Sequence, residues 1–171
     1  MKRIPFIVVF SLLPLVSSVV QADDEFFLDL SAGYASSSES GYDSSAMEEL
    51  AVAYASSDLV YRVGYSNYDG FKLQDMPRSD IKSRGLFAQV AYTLEYRVVN
   101  LELGGGMYRM KSEARFYGTK LGSSDQNSVF ASAFLVRDFS KHWSLLIGAK
   151  YLNDVAGANL TNWQIGLRAR M

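Results

Sequence analysis

The sequence predicts an all-β fold: an eight-stranded antiparallel up-and-down transmembrane β-barrel over residues 23–171, behind a cleaved signal peptide over residues 1–22. Three observations carry that prediction. They are the order of residue types at the N-terminus, a period-2 alternation of apolar and polar side chains along the rest of the chain, and connections that are long and short by turns.

The N-terminus opens Met1-Lys2-Arg3, a short basic segment, and continues through an apolar run over residues 4–20 that Pro5 and Pro14 interrupt. Val20-Gln21-Ala22 then fits a small-x-small cleavage site, and Asp23-Asp24-Glu25 places acid beyond it. Basic, apolar, small and acidic in that order is a secretory signal, which implies export through the general secretory pathway. The alternative, a retained anchor, needs ~20 apolar residues, and Pro14 would kink such a helix.

Successive strand residues point to opposite faces, so alternation identifies both the strands and their faces. In the first segment Phe26, Leu28, Leu30, Ala32 and Tyr34 oppose Phe27, Asp29, Ser31, Gly33 and Ala35. The second sets Leu50, Val52 and Tyr54 against Glu49, Ala51 and Ala53, and the third sets Leu59, Tyr61, Val63 and Tyr65 against Arg62, Gly64 and Ser66. The fourth sets Leu86, Ala88, Val90, Tyr92, Leu94 and Tyr96 against Phe87, Gln89, Ala91, Thr93 and Glu95. The fifth begins with Val99, Leu101 and Leu103 against Asn100, Glu102 and Gly104; the run Gly104-Gly105-Gly106 then suggests a bulge or a close approach. The sixth, over 128–136, reads equally well with either face outward. The seventh groups Trp143, Leu145, Ile147, Ala149 and Tyr151, and the eighth sets Trp163, Ile165, Leu167, Ala169 and Met171 against Gln164, Gly166, Arg168 and Arg170.

The connections over 37–46, 69–83 and 111–126 are long, those over 56–58, 97–98 and 138–142 are short, and 153–159 is intermediate. Long outer loops alternating with short inner turns are the habit of outer-membrane barrels. The last segment runs to Met171, which places both termini and the short turns on the periplasmic side.

Composition narrows the function. Of 17 bases, Lys2 and Arg3 leave with the signal, so 15 face 18 acids, a net charge of −3. That is not the basic footprint of a nucleic-acid binder. No cysteine is present, so neither disulfides nor the lipid of a lipoprotein stabilises the chain, whereas a closed barrel in lipid satisfies its own backbone.

At the level of pattern, residues 23–171 resemble the small outer-membrane barrels of the OmpX and OmpA-transmembrane type. The opening Phe27-Leu28-Asp29-Leu30-Ser31-Ala32-Gly33-Tyr34, the turn and strand Phe139-Ser140-Lys141-His142-Trp143-Ser144-Leu145, and the terminal Trp163-Gln164-Ile165-Gly166-Leu167-Arg168-Ala169-Arg170-Met171 carry the resemblance. It implies residence in the outer membrane, delivery by periplasmic chaperones and insertion by the barrel-assembly machinery. Met171 stands where that class usually places Phe or Trp, while Trp163, Ile165 and Leu167 keep its pattern.

Parity sends Asp29, Glu49, Glu95 and Glu102 inward together with Arg62, Lys150, Arg168 and Arg170. An eight-stranded barrel is just wide enough to be filled by side chains, so the expectation is a charge network that plugs the lumen. The functional alternative is a narrow polar path for small solutes. Phe26, Tyr54, Tyr61, Tyr96, Trp143 and Trp163 are candidates for membrane-interface aromatics. Lys72, Arg78, Lys82, Lys111, Arg115 and Lys120 lie in the outer loops and are candidates for lipopolysaccharide phosphates, against the plainer reading of solvated loop charge. The single histidine, His142, sits in a short inner turn, away from any outer-leaflet lipid it could act on. The expected function is a monomeric, non-enzymatic barrel without cofactor, in a structural or surface-interaction role. A lipid A enzyme and a soluble lipocalin-like binder, whose apolar faces would point inward, are the alternatives.

Overall fold

The computed structural model describes residues 24–39, 41–73, 76–155 and 157–171. The signal peptide predicted over 1–22 lies outside them, as does the side chain of Arg78.

Eight strands follow one another: β1 Glu25–Ser37, β2 Ser45–Ser56, β3 Leu59–Leu73, β4 Met76–Glu95, β5 Asn100–Phe116, β6 Thr119–Asp138, β7 Trp143–Val155 and β8 Ala158–Arg170. Each pairs antiparallel with the next, and β1 pairs with β8, closing the ring in the order β1 to β8. Within the ring each strand is paired on both sides, which is the condition a sheet must meet in hydrocarbon.

The apolar faces point outward. Leu30 is 58% exposed, Val63 63%, Leu86 61% and Ile165 56%, while their strand neighbours Asp29, Arg62, Phe87 and Gln164 are buried. A soluble protein does not present an apolar surface of this extent, and lipid is the solvent that fits it. The inward-facing alternative of a soluble ligand-binding barrel is therefore set aside. The sixth segment resolves the same way: Val129 and Leu135 are exposed, whereas Ser128, Phe130, Ser132, Phe134 and Val136 line the lumen.

Two expectations need correction. The stretches 69–83 and 111–126 are not loops, because β3 and β4, and β5 and β6, continue through most of them as hairpins, and the pairing of β4 with β5 joins the two side by side. There the ladder of backbone hydrogen bonds persists, but no lipid covers either face, so the apolar alternation that marks a strand lapses. The β5–β6 hairpin turns at Tyr117-Gly118, both left-handed (φ 51° and 77°), the geometry of a two-residue primed turn. Nor is there a bulge at Gly104, Gly105 and Gly106, where the register runs unbroken on both sides. The shifts fall at Tyr68/Phe71, Lys72/Leu73, Ala114/Arg115 and Leu152/Val155, all towards the hairpin end.

What the glycine run provides is close approach. A Cβ on Gly106 would lie 2.0 Å from the Ala88 carbonyl oxygen and 2.7 Å from the Phe130 ring. Phe130 is its register partner, and two more Phe–Gly partners, Phe87 with Gly64 and Phe134 with Gly148, repeat the arrangement around the wall. Three rings lie over three bare backbone positions and so fit into a narrow lumen.

Candidate functional site

The lumen is filled in layers. Nearest the short-turn end, Phe27, Ala53, Val60 and Ala91 pack together. Above them four charged side chains from four strands close on one another. The Arg62 Nε donates to Asp29 Oδ2 at 2.9 Å, and the Arg168 Nε to Asp29 Oδ1 at 2.8 Å. The Arg168 Nη1 donates to Glu102 Oε1 at 2.7 Å, and the Arg62 Nη2 pairs with Glu102 Oε2. All four side chains are buried, and the Arg168 guanidinium lies 4.8 Å from the Phe27 ring centroid. Two acids thus meet two guanidiniums, Arg168 through two contacts to each carboxylate and Arg62 through one to each, an arrangement in which buried charges are tolerated.

A second cluster stands higher. The Lys150 Nζ donates to Glu49 Oε1 at 2.5 Å, and Tyr108 Oη and Ser66 Oγ each donate to Glu49 Oε2 at 2.9 Å. The ammonium sits 4.0 Å from the Phe87 centroid and 5.2 Å from that of Phe130, within cation–π range of both. Between the clusters Gln89 donates to Ser132 at 3.0 Å and Ser31 to Gln164 at 3.3 Å. The space left there is about 20 Å³, room for one water. Higher still, Asn162 donates to Tyr68 Oη at 2.7 Å, and Met47, Met110, Leu152 and Phe71 form an apolar layer. Cavities of about 290 Å³ at the hairpin end and 310 Å³ at the turn end open on either side of this filling.

Six of the eight charges expected inside are therefore brought together, in two groups. Glu95 and Arg170 are not among them. Glu95 is exposed on the wall of the turn-end cavity, and Arg170 pairs at 3.2 Å with Glu25, both about two-fifths exposed. Both sit at strand ends, where the inward direction meets the mouth rather than the core. Tyr108, Ser66, Gln89 and Asn162 also belong to the interior network; alternation puts Ser66, Gln89 and Asn162 on the polar faces of their strands without singling them out. Tyr108 shares the parity of Glu102 once the strand is carried straight through the glycines, and that was the available signal.

On the outer wall Phe26, Tyr54 and Tyr61 form a ladder of register partners, with ring centroids 5.1 and 6.2 Å apart. Tyr96 and Trp143 lie exposed at the same end, where the Tyr92 hydroxyl also donates to Asp58 at 3.1 Å. Trp163 is exposed but lies away from that end, pairing with Tyr34 rather than beside Trp143. His142 takes the backbone N–H of Arg170 on its carbonyl oxygen in the β6–β7 turn. Among the described residues no group of three or more His, Cys, Asp or Glu is placed to hold a metal.

The basic candidates sit on strands. Lys72, Lys82 and Lys111 are on β3, β4 and β5, while Arg115 and Lys120 both pair with Glu113, at 3.1 and 3.3 Å. The hydrogen bonds from Arg115 and Lys120 hold the Glu113 carboxyl below the usual carboxylate range. Arg84 and Arg109, outward-facing on β4 and β5, were not singled out by sequence.

No protein-family model and no curated protein matches the chain. Solved structures do. Neisserial surface protein A shares 19% identity and superposes with a TM-score of 0.69, covering 88% of this chain and 98% of that one. Ail, the attachment invasion locus protein of Yersinia pestis, shares 16% with a TM-score of 0.59, covering 86% and 97%. The N-terminal β-barrel domain of Pseudomonas aeruginosa OprF shares 9% with a TM-score of 0.61, covering 85% and 97%. In fold, this chain is a small closed eight-stranded β-barrel like those of these outer-membrane proteins.

Proposed function

We propose that the chain is a monomeric, integral outer-membrane protein of a Gram-negative envelope, closed to solutes and non-enzymatic, in a structural or surface-interaction role. One observation carries closure: the Asp29–Arg62–Glu102–Arg168 group spans the lumen with every charge paired, and the gap above it holds about 20 Å³. A hydrated ion cannot pass such a gap without breaking buried ion pairs, which costs several kcal/mol for each. Periplasmic chaperones and the barrel-assembly machinery would deliver and insert the barrel. What remains for interaction are the β3–β4 and β5–β6 hairpins, which rise beyond the apolar band on the outer side, and the outer-leaflet lipid around them, lipopolysaccharide included. Neisserial surface protein A and Ail, similar to this chain in fold, bear names that refer to the cell surface and to attachment and invasion, in keeping with a role outside the lumen.

Single-channel recording of the purified, refolded protein in planar bilayers tests closure. The expected trace is silent. Regular, ohmic conductance steps would establish a channel and overturn the plug.

A further inference from the structure

Most strands leave the apolar band through neutral or acidic outward residues: Glu48 on β2, Asn67 on β3, Asn127 on β6, Asn153 on β7 and Thr161 on β8. β4 and β5 leave it through cations. Arg84 follows Leu86 outward on one, and Arg109 and Lys111 follow Met107 on the other. Register brings the three together. Arg84 lies directly opposite Lys111, and Arg109 opposite Leu86, the next outward pair. Partners across a ladder have Cβ atoms about 5 Å apart, and like charges so placed repel.

Local acids offset that repulsion only in part. The Arg84 guanidinium, 53% exposed, reaches Glu113 only at 3.9 Å, and Glu113 already takes closer contacts from Arg115 and Lys120. Asp125 faces Lys111 in register without an ion pair. Among the described residues neither Arg109 nor Lys111 makes an ion pair. Immediately below the three cations, Leu86, Met107 and Val129 are each more than half exposed. A ligand that fits must therefore carry anionic oxygens at one end and acyl chains at the other, and must stand beside the wall with its head at the top of the band.

We propose that Arg84, Arg109 and Lys111 form a site on the β4–β5 wall for the phosphates of an outer-leaflet glycolipid, the lipopolysaccharide headgroup, with its acyl chains along Leu86, Met107 and Val129. The proposal rests on the membrane-barrel reading above and narrows it to one face. Lys82, Arg115 and Lys120 stand farther out around Glu113, which Lys82 faces in register and which Arg115 and Lys120 contact.

The test is binding of lipopolysaccharide to the refolded full chain in a zwitterionic detergent, with the R84Q/R109Q/K111Q variant beside it. Each charge-assisted contact removed weakens binding about tenfold, so the triple variant loses a hundredfold or more. A K82Q/K120Q control stays within about threefold, because exposed, already offset charges contribute little. Lipopolysaccharide stripped of phosphate binds the unaltered chain as weakly as intact lipopolysaccharide binds the triple variant. Equal binding by the triple variant, or by the stripped lipid, overturns the site. Full competition by inorganic phosphate overturns the lipid assignment in favour of a free-anion site. Gel mobility before and after boiling is recorded for each protein. If the triple variant lacks a compact unboiled band, R109Q alone decides, with about a tenfold loss expected and an unchanged affinity overturning the site. If the unaltered chain itself shows no such band, the membrane-barrel reading fails, and the site with it.

Discussion

Lys150 shows how much a single inward residue on this wall carries. Its ammonium is enclosed by Glu49 and the rings of Phe87, Tyr108 and Phe130, and the side chain is buried from bulk solvent. Replacing it by methionine keeps the stem and strands the Glu49 carboxylate. The expected loss is about 3–5 kcal/mol, the usual cost of breaking a buried pair from one side. The E49Q/K150M double variant should recover most of it, since Tyr108 and Ser66 can still bond to an amide oxygen there. Urea unfolding of the refolded barrel in lipid vesicles, followed by the loss of the compact band on unboiled gels, measures both. Sequence made Asp29, Glu49, Arg62, Glu102, Lys150 and Arg168 legible because each interrupts the polar side of an alternating run. It did not make Glu95 and Arg170 legible as rim residues, because parity gives direction but not depth. The grouping of the six into a lower quartet and an upper pair depends on strand stagger, which no local pattern encodes.

At the scale of the strand, the apolar alternation was sufficient wherever lipid covers one face, and insufficient above it. β1, β7 and β8 were legible nearly end to end. β4 and β6 each begin about ten residues before their alternation does, because outside the band the hydrogen-bond ladder makes no demand on hydrophobicity. β6 was ambiguous for a different reason. Its lumen face carries Phe130, Phe134 and Val136, as apolar as its lipid face. The phenylalanines lie inward because Gly106 and Gly148 on the neighbouring strands make room for them. That pairing yields a prediction. A valine at Gly106 would drive its Cβ into the Ala88 carbonyl and the Phe130 ring, forcing the β4–β5–β6 wall to shift. A loss of about 1–3 kcal/mol is expected from overpacking of this kind, measured by the same unfolding assay. A G106V/F130A variant relieves the ring contact but not the backbone one, so it should remain less stable than the unaltered chain. No loss in G106V would show that the close approach is not needed.

For the whole molecule, a closed ring with eight paired ladders predicts resistance to detergent. Protein from isolated outer membranes should run faster unboiled than boiled on a denaturing gel, because within the ring every strand is held on both sides. A single mobility, with the protein recovered in the soluble periplasmic fraction, would count against the membrane barrel. The apolar band and the number of strands were readable from the chain; the expected alternation of long loops and short turns was not, because the ladder runs on through most of 69–83 and 111–126. The height of the hairpins and the one-sided placement of Arg84 and Arg109 were not, since both depend on how far the ladder continues after the lipid ends.

Asp29 and Arg168 are register partners on the first and last strands, 139 residues apart in the chain. Before β8 is laid down, Asp29 and Glu102 share only Arg62, which leaves one negative charge unanswered on a wall meant to be dry. The closing strand thus brings the missing hydrogen bonds and the missing cation together. Among the described residues no other base pairs with Asp29 or Glu102, and entering hydrocarbon with a bare carboxylate is costly. Completeness of the polypeptide is in this way written into the electroneutrality of its interior, so assembly has a thermodynamic means of telling a finished barrel from a fragment.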